Sequence, residues 1–580
     1  MTTYDPPRPW IASYAEGVPA DLDPVSGSLL DIVAASARDY PDAPALQFFG
    51  RETTYRQLTD AVEHAAAGLR ALGVGKGDTV AIVLPNCPQH IVAFYAILRL
   101  GAIAVEHNPL YTPRELRKQF EDHGAKTAIV WSKVVATVQE FPADLAVTNL
   151  ISVDVTRAMP FSLRVALRLP VAKARESRDA LTTRTSGAIA WEKLLQAPAL
   201  PASFPGPATD DIAIIQYTSG TTGSQKGAML THRNLGANAA QGRAWVPGLV
   251  AGQETVYAVL PMFHAYGLTL CLTFAMSIGA RLVLFPKPDV ELVLAAARKH
   301  PPTFLPAVPP IYDRLARAAV ERGIDLSSVR FAISGAMPLT TEILERWEAA
   351  TGGLLVEGYG MTEASPVVLG NPVGRSRRPG AVGVPFPSTE IRVVDPEEPS
   401  RDRAPGEAGE LLVRGPQVFG GYWGKPDETA ASLLPGGWLR TGDIVEVDGD
   451  GFVTIVDRIK EIIISGGFNV MPSEVEATLT RFEGVTDAAV VGLPRDDGSE
   501  QVVAAVTVEG DVDAQALREH CRASLAAYKV PRRIEVVDEL PRTPTLKVQK
   551  AKLRERGFGL AWDREAAGVQ VRRDRLGDPA

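Results

Sequence analysis

The sequence predicts an α/β protein with a smaller α+β unit at its C-terminal end. Three observations predict it. Short β-branched runs alternate with longer helical stretches from Asp42 to at least Gly360. The texture then changes to short strands broken by Gly, Pro and acidic turns, and after Asp457 a compact helix-and-strand pattern begins. At 580 residues the chain is also too long for one hydrophobic core, so at least two domains are expected.

Element by element, "DTVAIVLP" and "KTAIVWS" read as strands, followed by the helices "PQHIVAFYAILRLGA" and "VVATVQEF". Such alternation makes a parallel sheet. The uncharged "AYGLTLCLTFAMSIGA", residues 265–280, lies between the strands "ETVYAVLPMF" and "ARLVLF". It falls short of the ~20 residues that cross a bilayer, so a buried helix is expected. Then come helix "ELVLAAARKH", strand "PTFLPAVP", helix "PIYDRLARAAVERG", strand "VRFAISGA" and helix "TTEILERWEAATG". The strands "STEIRVVDPEEP", "GEAGELLVRGP" and "GFVTIVDR" favour an antiparallel, barrel-like subdomain. The C-terminal unit reads as helix "SEVEATLTRF", strands "VTDAAVVGLP" and "EQVVAAVTVE", helix "AQALREHCRASL" and strand "RRIEVVDEL", before a charged, aperiodic tail expected to fray.

"APALPASFPGPAT" reads as a surface linker. Upstream of it, "RAMPFSLRVALRLPVAKARESRDAL" alternates Arg and Lys with Leu, Val and Phe. Two uses fit: a surface helix that packs an apolar stripe on the core, which is the expectation, or a segment lying on an anionic membrane.

With 46% hydrophobic and 22% charged residues the composition is that of a soluble globular protein, and a net charge of −8 argues against a general nucleic-acid binder. Cys87, Cys271 and Cys521 form no CxxC, so neither a zinc site nor a disulfide framework is suggested and a cytoplasmic setting is expected. The N-terminal "MTTYDPPRPWIASYAEGVPADLD" lacks the basic start and apolar run of a secretory signal.

Chemistry concentrates in "YTSGTTGSQKGAMLTHRN", residues 217–234. Its glycines allow close backbone approach, Thr218, Ser219, Thr221, Thr222 and Ser224 add hydroxyls, and Lys226 adds a positive charge, as a polyphosphate cradle needs. It is not a Walker A loop, because Gln225 and Gly227 stand where that motif has Gly and Ser or Thr. On composition alone a flexible surface connection stays open.

In its order, following the apolar strand "DIAIIQ", this loop resembles the phosphate loop of the acyl-adenylate-forming superfamily, with Gln225 in place of a usual proline. "EGYGMTEASP" and "GGWLRTGDIVEVDGDGFVTIVDRIKEIIISGGFNVMPSEVE" are similar to further segments of that family, and "PRTPTLKVQK" to its catalytic-lysine loop, with Leu546 where glycine is usual. The resemblance implies that Ser219, Gly220, Thr221, Thr222, Gly223 and Lys226 hold ATP phosphates. It further implies nucleotide contacts at Gly335, Ala336, Glu357, Gly358, Tyr359, Gly360 and Ile455, with Tyr359 near the purine and Thr362 at the α-phosphate. Glu363 with Thr221 would hold Mg²⁺, Asp443 would grip the ribose with help from Arg458, and Lys547 would stabilise charge during adenylation. Gly466 and Gly467 would line a coenzyme A tunnel. Within "VLPMFHAYGLTL", His264 would sit by the substrate carboxylate, with Ala265, Gly267 and Leu268 walling an apolar pocket.

The boundaries that follow are a large domain over 1–456, a hinge at 457–460 centred on Lys460, a small domain over 461–560 and a tail over 561–580. "VEHNPLYTPRELRKQFEDHGAK" and "YDPPRPWIASYAEGVPADLD" resemble the bacterial long-chain fatty acid:CoA ligase branch. The implied activity is ATP-dependent conversion of a medium-to-long-chain fatty acid to acyl-AMP and then acyl-CoA, with ATP, Mg²⁺ and coenzyme A required. Oligomer formation and peripheral membrane contact stay open, as do an enzyme that loads a carrier protein and a degenerate fold that only binds nucleotide or lipid.

Overall fold

The structure is a computed structural model. It describes residues 8–556, except 143, 146, 219–224, 466–467, 496–499 and 544–545, together with 562–563. The expected frayed tail lies outside the described residues beyond that pair.

The α/β region divides into two sheets. One runs, edge to edge, through Ile189–Ala190, Asn149–Val153, Thr127–Trp131, Thr79–Val83, Ile103–Glu106, Ile212–Tyr217 and Gly227–Thr231. All of its pairings are parallel except the last, where Ile212–Tyr217 and Gly227–Thr231 form an antiparallel hairpin around the Gly/Ser/Thr loop. The second sheet has nine strands among the described residues, with Thr255–Ala258, Phe304–Ala307, Phe331–Ser334 and Leu354–Gly360 adjacent and parallel at its centre. Strands buried on both faces explain their near-continuous Val, Ile, Leu and Ala composition.

Local sequence explains the helices that reach the site. Pro113–His123 opens on a reciprocal cap, Thr112 with Glu115, carries Pro at its first turn and closes on Gly124 in the left-handed region. It presents Gln119 and Asp122. His232–Trp245 starts directly after the hairpin through a Thr231–Asn234 cap. Residues 265–277 form the expected buried helix, with a π-helical middle at Leu268–Thr273.

Past Gly360 the strands Glu390–Val394, Gly409–Arg414, Trp438–Val447, Leu433–Leu434 and Val453–Arg458 pair antiparallel, as expected, along an open path. The C-terminal unit pairs Val485–Pro494 with Glu500–Val508 antiparallel and adds Arg533–Val536 parallel to the latter. Helices Pro472–Thr480 and Ala514–Ser524 cover it. Its core, from Ile463 to Ile534, is separate from the large core that runs from Trp10 to Val453. Leu546 of this unit packs on the large core.

The basic apolar stretch departs from expectation. It forms two short helices, Phe161–Ala166 and Ala172–Leu181, and neither has a buried residue. Within residues 161–181, among the described residues, only Leu167 and Leu181 touch the core, which Met159 enters just before. Pro160 and Pro170 interrupt what periodicity suggests as one helix, and the pieces are too short to lay a continuous stripe on the sheet.

Candidate active site

The hairpin fixes where the loop begins and ends. Thr218 N–H donates to the Lys226 carbonyl at 2.9 Å, directly beyond the Tyr217–Gly227 pair. Ser219, Gly220, Thr221, Thr222 and Gly223 lie outside the described residues, as do Gly466 and Gly467. At the exit of the loop Gln225 Oε1 accepts from Gln119 Nε2 at 2.5 Å, and Gln119 Oε1 pairs with His107 Nδ1 at 2.5 Å. Burial pushes His107 down to about 4, so the ring is neutral and its Nδ1–H is the donor in this chain of amides. A side-chain tether therefore stands at Gln225, at the exit of the loop.

Lys226 pairs with Glu428 of the short helix Pro426–Ser432, and its ammonium lies 5.0 Å from the Tyr422 ring centroid. The lysine charge holds the Glu428 carboxyl below its usual range. Backbone bonds from Met229 to Gly421 and from Trp423 to Gly227 dock this segment on the hairpin. Tyr422 then donates its hydroxyl to Glu363 Oε1 at 2.7 Å. Lys226 and Glu363, distant in sequence, are joined through one aromatic residue.

Glu357, Gly358, Tyr359 and Gly360 end the strand Leu354–Gly360, and Thr362 and Glu363 form the turn that follows. Only glycine fits at 360, since a Cβ there would meet the Pro366 carbonyl oxygen at 2.1 Å. The neighbouring strand ends at Ser334, after which Gly335 and Ala336 curve back, Ala336 with φ of 66°. A non-glycine residue in the left-handed region is uncommon and marks a constrained turn. Glu357 is buried, accepts from the Leu339 N–H at 3.1 Å, and is pushed by burial up to about 7.

Asp443 is 2% exposed and sits opposite Arg458 in register across the Trp438–Val447 and Val453–Arg458 strands. Its Oδ1 meets Arg458 Nε at 2.7 Å and its Oδ2 accepts from the Tyr359 hydroxyl at 2.5 Å. Burial, and next the Asp443 carboxylate, hold the Tyr359 phenol well above its ordinary range, so it remains a donor. Ile455 on the same strand is 38% exposed. Lys460 stands exposed on the single turn Ile459–Glu461 between the two cores.

The small domain brings Lys547 into this group. Lys547 is half-buried and its ammonium feels Arg458, Glu461 and Asp443; desolvation and then Arg458 push it down to about 8. On the large-domain side, burial and next the Lys547 charge push His264 down to about 4, leaving it neutral. Leu546, immediately before, adopts φ of 65° while its side chain packs on the large core. Lys550, one helix turn on, bridges Glu461 at 2.7 Å and Glu476 at 2.8 Å.

His264 caps the turn that holds Ala265, Gly267 and Leu268, all buried; a Cβ on Gly267 would lie 2.1 Å from the Pro261 carbonyl oxygen. A small, mostly apolar cavity opens one turn further on, lined by Trp245, Leu270, Phe274, Phe304 and Phe386 and reaching Glu357 and Gly358 of the strand Leu354–Gly360. Ala265, Gly267 and Leu268 are outside its lining.

Similarity to known proteins gives the family. A family model described as AMP-binding enzyme matches residues 33–423, and one described as AMP-binding enzyme C-terminal domain matches residues 474–547. The chain belongs to the AMP-binding enzyme family. A long-chain-fatty-acid–CoA ligase of Bacillus subtilis (strain 168) is 38% identical over 554 residues, 94% of this chain and 98% of that one. Among solved structures, an anthranilate CoA ligase in complex with anthranoyl-AMP gives a TM-score of 0.78 at 26% identity, covering 94% of this chain and 99% of the other. ATP-bound MatB from Rhodopseudomonas palustris gives 0.77 at 29%, covering 92% and 99%.

In this AMP-binding enzyme, sequence reasoning missed Tyr422, Glu428, Gln119 and the aromatic cavity wall. Tyr422 lies in "GGYWGKPDET", where a tyrosine among glycines carries no chemical signature. The cavity residues come from separate elements and meet only in the fold. The metal question turns on donors: among the described residues no three His, Cys, Asp or Glu cluster as a metal cage. Glu363, a buried carboxylate joined through Tyr422 to Lys226, fits the expected Mg²⁺, which is commonly held by one or two carboxylates plus substrate phosphates.

Proposed function

We propose that this enzyme activates a medium-to-long-chain fatty acid with ATP, releasing pyrophosphate, and transfers the acyl group from the adenylate to coenzyme A. The observation that carries the reading is the convergence of Lys547, from the small domain, on Asp443 and His264 of the large one and on Arg458 at the hinge. The acid's carboxylate oxygen attacks the α-phosphorus and pyrophosphate leaves; the coenzyme A thiol then attacks the acyl carbon and AMP leaves. No enzyme nucleophile is needed, so positioning and charge stabilisation do the catalysis.

In this reading Asp443 accepts both ribose hydroxyls and Arg458 orients it. Tyr359 borders the purine, and Lys226 with the 218–224 loop takes the phosphates. Lys547 stabilises negative charge as the acyl oxygen meets the α-phosphate. Neutral His264 offers a hydrogen bond beside the acid without adding charge. Glu363, with Thr221, would hold Mg²⁺, which when bound neutralises charge on the phosphates. The apolar side chains beneath Gly358 mark where an uncharged chain would enter. Domain limits of 1–456, 457–460 and 461–560 are part of the proposal, supported by two cores joined by one exposed turn. A cytoplasmic setting, at a membrane face, is also part of it; the three cysteines are free and buried, and among the described residues no helix is long and apolar enough to cross a membrane.

The test is pyrophosphate release across acids of graded chain length, with and without coenzyme A, followed by mass spectrometry. Acyl-CoA formed only with coenzyme A, and from apolar acids, is the expected result. Adenylate that never passes to coenzyme A would overturn the second step, and no turnover of any acid would overturn the whole reading.

A further inference from the structure

Five of the twelve exposed large apolar side chains among the described residues fall within eleven positions: Phe161, Leu163, Val165, Leu169 and Val171. Phe161 is 76% exposed, and Leu169 and Val171 about half. Scattered single apolar residues on a surface mean nothing, but a contiguous set does. Leu167 and Leu181 fasten the segment to the core, and Trp131 Nε1 holds the Leu181 carbonyl at 2.8 Å, so the outward residues belong to an anchored structure. Arg164 and Arg168 lie between them and Lys173 and Arg175 follow directly, with no Asp or Glu between 161 and 175. Among the described residues these four form no ion pair, whereas the flanking Arg157 and Arg178 pair with Asp154 and Asp179.

We infer that residues 161–175 form a docking surface for an anionic lipid bilayer. Apolar side chains that enter the headgroup boundary beside unpaired Arg and Lys are what an interfacial anchor requires. The rest of the molecule sharpens this. A chain of net charge −8 is repelled by an anionic surface except through such a patch, so the patch also sets orientation. A second copy fits poorly, because a two-fold interface would face four positive charges with four more. In the sheet the segment joins Asn149–Val153 to Ile189–Ala190, at the edge opposite the Ile212–Tyr217 and Gly227–Thr231 hairpin, so contact there leaves the nucleotide side free. The inference rests on the proposed function for its purpose: a ligase for apolar acids meets them where they partition.

The experiment is flotation of the full chain with vesicles of phosphatidylglycerol and phosphatidylcholine against phosphatidylcholine alone, with turnover of octanoic acid measured in parallel. Two variants separate the contributions: Phe161→Ser with Leu169→Ser, and Arg164→Gln, Arg168→Gln, Lys173→Gln and Arg175→Gln together. The expected result is flotation with anionic vesicles only, reduced at least tenfold in the first variant and by roughly fivefold per charge in the second, with octanoate turnover unchanged in both. Absence of flotation, flotation indifferent to both variants, or Phe161-dependent dimerisation in the ultracentrifuge would overturn the inference. Turnover without flotation removes the lipid surface and leaves the ligase; flotation without turnover of any acid does the reverse.

Discussion

Lys547 is held near 8 by burial and by Arg458, which makes its charge sensitive to moderately alkaline pH. The protonated form is the one that stabilises developing negative charge, and it is lost as pH rises through about 8. Adenylate formation should therefore fall above about pH 8, and the same limb should be absent from thioester formation starting with preformed adenylate; a rapid-quench pH series on both half-reactions checks this. Tyr422 offers a second residue-scale prediction, because its hydroxyl holds Glu363 while its ring lies under Lys226. Tyr422→Phe keeps the ring and frees the carboxylate. Calorimetry should show a several-fold higher Mg²⁺ requirement for ATP binding with Mg²⁺-free nucleotide binding little changed, whereas an equal loss in both would mean a merely structural tyrosine. Gln119→Leu removes the tether of the loop exit, and the ATP KM should rise several-fold while kcat holds within about twofold.

At the scale of elements, the loop that carries Lys547 compensates one strained residue with one contact. Leu546 in the left-handed region costs on the order of 1 kcal/mol, and its packing on the large core offsets that cost only while the domains are in this arrangement. Leu546→Gly removes strain and contact together. We expect adenylate formation slowed roughly threefold to tenfold, with thioester formation from preformed adenylate as fast or faster. Slowing of both half-reactions alike would contradict the latch. The hinge turn is guarded in the same way, since Ser473 of the first small-domain helix donates to Asp457 Oδ2 at 2.9 Å and to the Val456 carbonyl at 2.8 Å. These contacts were not legible in sequence, because each depends on which face two separately folded units present to each other. The elements themselves were legible: alternating β-branched runs and helices gave the parallel sheets, and the uncharged 265–280 stretch its buried helix. The basic apolar segment was misjudged because its residue types were read as one amphipathic helix, and two prolines divide it into pieces with no buried face.

For the whole molecule, the motif residues lie in segments far apart in the chain, and the fold brings Tyr359, Asp443, Arg458 and Lys547 into one group and joins Lys226 to Glu363 through Tyr422 in another. Resemblance picked out Asp443, Arg458, Glu363 and Lys547 because their neighbours form ordered motifs. It was silent on Tyr422 and on the aromatic cavity, whose side chains fill space by shape. The central claim is that this arrangement of the two domains makes the adenylate, with Lys547 as the group the small domain contributes. A single-turnover comparison of Lys547→Ala with the wild-type chain tests it most directly, following adenylate formation from acid and ATP and, separately, acyl-CoA formation from isolated adenylate. The account predicts a loss of roughly a hundredfold or more in the first step and a change of less than about threefold in the second, whereas equal losses in both steps would contradict it.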